Sequence, residues 1–339
     1  MLDFPVPKIP RYRGFNLTEL VSGSRPARFL ESDFQWMAEW GFDFARLPLS
    51  YWYWAHPGDR WLAIDAAQFD PVDEAILWGR RYGIHVNLCL HRIPGYCVND
   101  GNREPFQLFS GPADGQARAL EAAMHHWRYI AERYREYPSK ELSFDLLNEP
   151  PWMKDRSRYV EVVRALVAVI RGKDPERIVY INGADIGQTP VPEVVDLDVV
   201  QSTRGYLPKS LSHHTAPWVP RHEFESSGPL IWPLIDDVGR LWDRDFLRDQ
   251  LIRKWKPLSD SGVNIHVGEW GCYRATPHWI ALAWMRDLLA LWMEAGWGWA
   301  LWNLRGPFGV VDSGRADVRY EAFRRHLLDR RMLELLRAN

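Results

Sequence analysis

Features that define several protein classes are absent or scarce in this 339-residue sequence. Its three cysteines, Cys89, Cys97 and Cys272, are too few and odd in number for a disulfide framework. No CxxC or HExxH spacing occurs, so we expect no metal site and no cofactor. The formal net charge of −2 gives no electrostatic basis for binding nucleic acid or an anionic membrane.

Long hydrophobic runs are also missing. No apolar run reaches the roughly 18 residues that a membrane-spanning helix needs. The first 14 residues, MLDFPVPKIPRYRG, lack the apolar core of a signal peptide, and we therefore expect a cytoplasmic protein. With 46% hydrophobic and 25% charged residues, the composition is typical of a soluble globular protein with a large core.

Tryptophan, by contrast, is abundant. The chain has 19 Trp against 14 Phe and 13 Tyr, although Trp is normally the scarcest aromatic residue. We expect most of these side chains in the core; Trp36 and Trp40, four residues apart on a predicted helix, form a packing stripe. Indole rings also stack well on the apolar faces of sugars, which gives the excess a second use.

The chain repeats one pattern: a helix-period segment, a turn residue, then a short apolar run that ends in polar residues. Ser32 and Gln35 are placed as a capping box, and Asp70 as an N-cap. Helical segments are predicted at residues 32–41, 70–83, 116–134, 157–172, 191–196, 245–262, 279–296 and 320–336. Strands are predicted at residues 13–19, 42–50, 84–92, 141–150, 177–183, 198–206, 263–271 and 297–306.

Eight strands that alternate with eight helical connections predict an α/β fold, a closed (β/α)8 TIM barrel. We expect a single domain over residues 1–339, with residues 1–10 as an N-terminal arm. A doubly wound open sheet is the alternative, but no GxGxxG follows the first strand. The long connections, residues 92–114 and 205–241, follow strands rather than precede them. The second is rich in Pro, Trp and His, and its length within a compact domain predicts a binding loop.

The carboxyl ends of the strands carry the chemistry in barrel enzymes. Here seven of the eight strands end in polar or aromatic residues: Asn16, Arg46, His91, Asn148 with Glu149, Tyr206, Glu269 and Trp302. Each has a structural alternative, as a loop anchor, a buried histidine or a packing residue. Their recurrence at the same place in successive units nevertheless favours a shared site.

Two of these residues are acids, Glu149 after the fourth strand and Glu269 after the seventh, so a closed barrel places them across its mouth. Two carboxylates about 5 to 5.5 Å apart can cleave a glycosidic bond, one as nucleophile and the other as acid and then base. Their pKa values must differ. Arg46 and Tyr206 are candidate donors to Glu269, and Asn148 is a candidate contact for the sugar 2-hydroxyl.

Six segments in order along residues 11–336 resemble glycoside hydrolase family 5, the cellulase-like retaining β-glycosidases: RGFNLTE, FARLPLSYW, LHRIPGY, LLNEP, VGEWG and WNLRGPFGVVDSGR. The resemblance implies that Glu149 is the acid/base and Glu269 the nucleophile. It implies a sugar subsite formed by Arg46, His91, Asn148 and Tyr206, with Trp302 beneath the sugar. The expected substrate is a β-linked glucan- or mannan-type oligosaccharide or glycoside.

One segment departs from the family pattern. The family usually carries His-x-Tyr after the sixth strand, whereas this chain has Arg204-Gly205-Tyr206. Arginine binds carboxylates through two parallel hydrogen bonds. Because Arg92, Arg274 and Arg305 also fall at predicted strand ends, one hypothesis is that Arg204 and these residues accept an acidic sugar. The alternative is that they pair with Glu and Asp of the loops.

Two other functions remain open. A carbohydrate-binding barrel without catalysis would need neither Glu149 nor Glu269, so the presence of both argues against it. A transglycosylase would use the same two carboxylates, and the sequence does not separate it from a hydrolase. Histidines 213, 214 and 222 are close enough in sequence for a metal site, but exposed loop histidines are the simpler interpretation.

Overall fold

A computed structural model describes residues 9–22, 28–58, 60–99, 103–220 and 230–339. Eight parallel strands form the barrel, in chain order Arg13–Asn16, Phe44–Ser50, His85–Ile93, Leu142–Asp145, Val179–Asn182, Val200–Gly205, Ile265–Trp270 and Gly298–Leu301. Each strand pairs with the next, and the eighth pairs with the first, with Phe15 opposite Leu301. The predicted closed (β/α)8 barrel is thus confirmed, and the open-sheet alternative is excluded.

Helices surround the barrel between successive strands. The outer helices are Glu31–Glu39, Asp70–Tyr82, Ala113–Arg133, Ser157–Arg171, Arg244–Leu247 continued through Arg248–Arg253, Lys256–Asp260, His278–Ala295 and Arg330–Arg337. Shorter helical turns cover Tyr51–Tyr53, Ala66–Phe69, Ala184–Gly187, Pro192–Leu197 and Lys209–Ser212. Within the described part of the chain, no helix combines the length and the apolarity needed to cross a membrane.

Stacked rings fill the amino-terminal end of the barrel. Tyr12 lies 4.4 Å from His85 between ring centroids, and Phe44 lies 4.7 Å from His266. Tyr180 packs against Phe44 and His266 in the same layer. Because burial lowers the pKa of His85 to about 4 and that of His266 to about 3, both imidazoles are neutral. These five rings therefore form a packed, neutral layer at this end of the barrel.

The predicted C-terminal helix over residues 320–336 is wrong in its first half. Glu321–Phe323 and His326–Leu328 form an antiparallel hairpin, and the helix covers only Arg330–Arg337. The side chain of Asp329 accepts a hydrogen bond from the Met332 N–H at 3.0 Å and starts the helix there. Arg324 and Arg325, both at positive φ, form the tight turn between the two hairpin strands.

The predicted helix starts also need correction. The first helix begins at Glu31 without a side-chain cap, because Gln35 bonds instead to Glu39 at 2.9 Å. Asp70 is itself the first helical residue rather than the N-cap. The predicted stops are confirmed, since Gly41 and Gly83 adopt φ of 83° and 69°. The packing stripe is also confirmed, as Trp36 and Trp40 are buried with ring centroids 6.2 Å apart.

Candidate active site

Glu269 lies in the seventh strand, where the pairing register shifts against the sixth strand between Val267 and Glu269. Its carboxylate accepts hydrogen bonds from Arg46 Nη1 at 2.6 Å, from Arg204 Nη2 at 3.3 Å and from the Tyr206 hydroxyl at 3.3 Å. Burial opposes ionisation, but the charges of Arg204 and Arg46 outweigh it and lower the pKa of Glu269 below its usual value. Glu269 is therefore a carboxylate at neutral pH.

Arg46, on the second strand, anchors the floor of this site. Its guanidinium donates to Asp145 at 2.9 Å, to Asn16 at 2.9 Å and to Asn148 at 2.8 Å, besides Glu269. The residue is 1% exposed. Since it donates to residues of three other strands, the first, fourth and seventh, Arg46 fixes their relative positions.

Glu149 follows the fourth strand, which ends at Asp145, and lies at the carboxyl end of the barrel. Its backbone is in the strained left-handed region, with φ of 48°. Its backbone is held on both sides: its N–H donates to Asn182 Oδ1 at 2.9 Å, and its carbonyl accepts from the Tyr96 hydroxyl at 2.5 Å. The prolines at 150 and 151 then lead the chain away from the sheet. Burial and then the charge of Glu269 raise the pKa of Glu149 to about 7.

Arg204 joins the two acids. Its Nε donates to Glu149 Oε1 at 2.8 Å, and its Nη2 donates to Glu269 Oε1 at 3.3 Å. The two carboxylates are therefore separated by no more than one guanidinium and two hydrogen bonds. The barrel brings together two acids that lie 120 positions apart in sequence, with pKa values shifted in opposite directions.

The other predicted site residues lie at the same end of the barrel. The carbonyl oxygen of the Asn148 side chain is held by Arg46 and Arg204, while its buried amide nitrogen has no partner among the described residues. His91 stacks on Trp302 at 5.8 Å between centroids, and burial lowers the pKa of His91 to about 4. Both ring nitrogens of this neutral histidine are buried and unpaired within the described ranges.

Two further residues of the site, Asn182 and Asp145, were not predicted from the sequence. Asn182 accepts from the Glu149 N–H and from Arg204, and it donates to Asp145 at 2.8 Å. As the last residue of the fifth strand, Asn182 carries the same strand-end signal that identified the other seven positions. Asp145 carries no such signal, because it ends the paired part of a strand that was predicted to continue to residue 150.

A cavity of about 510 Å³ opens beside Glu149. Ile186, Leu207 and Tyr206 line it together with Trp152, which is 68% exposed. The long connection after the sixth strand forms one wall, as predicted for a binding loop. Residues 221–229 of that connection lie outside the described residues.

Three of the four arginines suspected of binding an acidic sugar pair with acids of the protein. Arg92 lies 3.2 Å from Glu104, Arg305 lies 2.5 Å from Asp33, and Arg204 holds the two site acids. These contacts favour the alternative of internal ion pairs. Arg274 lies near the Tyr273 ring, at 5.9 Å from its centroid.

The suggested histidine metal site receives no support. His213 packs against the ring of Tyr206 at 4.9 Å, and His222 lies outside the described residues. No group of three potential metal ligands occurs in the ranges that the structure describes.

Comparison with known proteins gives a consistent result. The model of the cellulase family, glycosyl hydrolase family 5, matches residues 11–306. Endoglucanase C of Acetivibrio thermocellus is 24% identical over 316 residues, covering 86% of this chain and 88% of the relative. Cellodextrinase A of Ruminococcus flavefaciens is 29% identical over 209 residues, covering 58% of this chain and 59% of the relative.

Solved structures agree with the fold. The crystal structure of a glycoside hydrolase is 34% identical with a TM-score of 0.89, covering 97% of this chain and 99% of that one. Thermotoga maritima Cel5A in complex with mannotriose is 22% identical with a TM-score of 0.75, covering 96% and 97%. Since the family model spans most of the chain, the protein belongs to glycosyl hydrolase family 5 and is a β-glycosidase of that family.

Proposed function

We propose that this protein is a retaining β-glycosidase that cleaves β-linked glucan- or mannan-type oligosaccharides by double displacement. The observation that carries the proposal is the pair of acids held by Arg204, one ionised and the other with a pKa of about 7. A retaining mechanism needs one nucleophilic carboxylate and one protonated acid within a sugar-sized gap.

In the first step the Glu269 carboxylate attacks the anomeric carbon while the bond to the leaving oxygen breaks. Glu149 gives its proton to that oxygen, and the sugar stays bound to Glu269 as an ester. In the second step Glu149, now ionised, takes a proton from water. The water oxygen attacks the anomeric carbon as its proton leaves, and the ester bond to Glu269 breaks. The product sugar has the same anomeric configuration as the substrate, and Glu269 is again a free carboxylate.

Three other side chains have roles in binding the sugar. The unpaired amide nitrogen of Asn148 is a donor for the 2-hydroxyl, a contact that strengthens in the transition state. Trp302, stacked on His91, supplies the apolar face beneath the ring. Tyr206 keeps Glu269 oriented through its hydroxyl.

The substrate class is inferred from relatives and from the cleft. Two relatives are an endoglucanase and a cellodextrinase, and Thermotoga maritima Cel5A has been crystallised with cellobiose and with mannotriose. The apolar wall beside Glu149, with Ile186, Leu207 and the exposed Trp152, suits a sugar on the leaving-group side. We therefore propose oligosaccharides of at least two units rather than simple glycosides as the preferred substrates.

The test uses a panel of aryl β-glycosides and short glucans and mannans. A 2-deoxy-2-fluoro glycoside should label Glu269, and NMR of the first product should show the β-anomer. Glu269→Ala should lose hydrolysis of every substrate, and Glu149→Ala should lose hydrolysis of the glucans and mannans, whose leaving groups need a proton. The matched control Glu321→Ala, in an exposed ion pair with Arg330, should keep both activities. An α-anomer as first product would overturn the retaining mechanism, and absence of turnover on every substrate would favour a binding barrel.

Transfer of the sugar to another sugar is measured in the same experiment. A sugar hydroxyl held against Trp152 would replace water in the second step without any change at the two acids. Longer products at high acceptor concentration would identify a transglycosylase.

A further inference from the structure

We propose that Arg204 is a positioning residue that holds the proposed acid and nucleophile with one guanidinium and acts mainly on the second chemical step. The inference rests on the retaining mechanism proposed above. It concerns the position at which this chain departs from the usual His-x-Tyr pattern.

Arg204 is enclosed by the protein. Its side chain has no exposed surface, so it acts through its neighbours and not by touching the sugar. Beyond the two acids, Nη2 donates to Asn148 at 2.7 Å and to Asn182, and Nη1 donates to the Thr203 carbonyl at 3.1 Å. A guanidinium with this many fixed acceptors has one orientation.

The barrel leaves space for this arginine on two sides. Gly187, at φ of +76°, faces the aliphatic part, and a Cβ there would lie 2.7 Å from Arg204 Cγ. Gly268 faces the guanidinium, and a Cβ there would lie 3.0 Å from Nη1 and would overlap Ser202 Oγ. Side chains at either glycine would displace Arg204, so the surrounding backbone is shaped to hold it.

The charges around Arg204 come from three strands. Glu149 and Asp145 belong to the fourth strand and its end, Glu269 to the seventh, and Arg46 to the second. His91 and His266 are neutral because burial lowers the pKa of each. The remaining neighbours are neutral because burial raises the pKa of the Cys89 thiol and of the Tyr159 and Tyr206 hydroxyls.

Two guanidinium groups therefore face three carboxyl groups. In the free enzyme the charges balance when one carboxyl group is protonated, and Glu149, which faces the cleft, is the one that the first step requires in that form. When Glu269 becomes an ester, its charge disappears and the two guanidinium groups face only Asp145 and Glu149. The charges then balance with Glu149 ionised, which is the form that activates water in the second step.

Loss of the Arg204 charge should consequently affect the two steps unequally. A neutral residue would raise the pKa of both Glu149 and Glu269, because an opposite charge that stabilised their ionised forms is removed. Protonated Glu149 remains a competent acid for the first step. In the glycosyl-enzyme, however, Glu149 would hold its proton more tightly and activate water poorly.

The experiment compares Arg204→Gln and Arg204→His, which change the fixed charge, with Arg204→Lys, which keeps it. A 2,4-dinitrophenyl glycoside serves as substrate because its leaving group needs little protonation, so kcat reports the second step. For Arg204→Gln we expect kcat at pH 7 to fall more than tenfold while kcat/KM falls less, with a larger burst of dinitrophenol. On an aryl glycoside with a poor leaving group, both limbs of its kcat/KM profile should move to higher pH by about one unit. Arg204→Lys should restore much of the kcat and of the wild-type pH profile.

Several results would overturn the inference. One is a kcat/KM profile of Arg204→Gln whose acid and alkaline limbs lie at the same pH values as those of the wild type. Another is an equal loss in kcat and kcat/KM. If Arg204→Gln does not fold, Arg204→His carries the same test with the residue that the family usually has there. Failure of the wild-type enzyme to form a fluoroglycosyl-enzyme would refute the proposed function; a wild-type burst with uniformly slowed variants would refute only the role of Arg204.

Discussion

The two ends of the barrel bury their side chains in opposite ways. At the amino-terminal end, neutral rings of Tyr12, Phe44 and His85 stack with centroids 4.4 to 5.6 Å apart. At the carboxy-terminal end, Arg46 and Arg204 occupy the interior and are surrounded by carboxylates and amides. The amino-terminal end, called the ring end below, is therefore held together by packing. The carboxy-terminal end, called the charged end, is held together by ion pairs and hydrogen bonds.

This difference separates stability from chemistry. Stacked apolar rings stabilise a fold through buried area and packing. Buried ion pairs are weak contributors to stability, because the loss of hydration offsets most of their attraction. The ion pairs at the charged end are therefore better explained by the need to hold two acids in different protonation states than by a contribution to the stability of the fold.

The largest expected effect of a single substitution is on activity and lies at the charged end. Glu269→Gln keeps the shape of the side chain but removes the proposed nucleophile, so kcat/KM should fall about 10⁴-fold or more. Steady-state kinetics on an aryl β-glycoside measures this loss. The midpoint of thermal unfolding should change little, because Glu149 can ionise and restore the charge balance with Arg46 and Arg204. A large fall in that midpoint would show that the two buried guanidinium groups are left unbalanced.

The complementary substitution lies at the ring end. Phe44→Ala opens a cavity among Tyr12, His85 and His266, and the free energy of unfolding should fall by about 3–5 kcal/mol. Denaturant unfolding measures this change, with Leu77→Ala on an exposed helix position as the control. The kcat of the folded variant should match that of the wild type; a loss of kcat would show that the two ends are coupled.

The pH dependence of activity tests the pKa difference at the charged end. Activity requires protonated Glu149 and ionised Glu269. Since the pKa of Glu149 is about 7, kcat/KM should fall tenfold per pH unit above that value. The acid limb should lie below the ordinary glutamate range, because Arg204 and Arg46 lower the pKa of Glu269. In Glu149→Gln, assayed with a dinitrophenyl leaving group, the alkaline limb should disappear; its persistence would assign it to another residue.

The sequence predicted the barrel and most of the site because both depend on local signals. Apolar runs that end in polar residues located all eight strands, and the strand ends located Glu149, Glu269 and Arg46. The same rule would have found Asn182 had it been applied to the fifth strand.

Other features depend on contacts that are distant in sequence. Asp33, in the first turn of its helix, pairs with Arg305, 272 positions away, a contact that no local pattern indicates. The bridging role of Arg204 needs the fourth, sixth and seventh strands in their final places. A local pattern indicated an unusual residue there, but only the assembled barrel shows that its guanidinium contacts the two acids.

The rim of the charged end offers the smallest effect. Trp152 lies beside Glu149 at the cavity mouth and is 68% exposed, so its ring is free to stack on a sugar of the leaving group. Trp152→Ala should lower kcat/KM on short oligosaccharides about tenfold or less, as expected for one aromatic contact. It should leave hydrolysis of a dinitrophenyl glycoside nearly unchanged, because that substrate has no second sugar. Trp279→Ala, equally bulky and 59% exposed on an outer helix, is the matched control. Equal losses on both substrates would place Trp152 in the support of Glu149 rather than in the cleft for the leaving group.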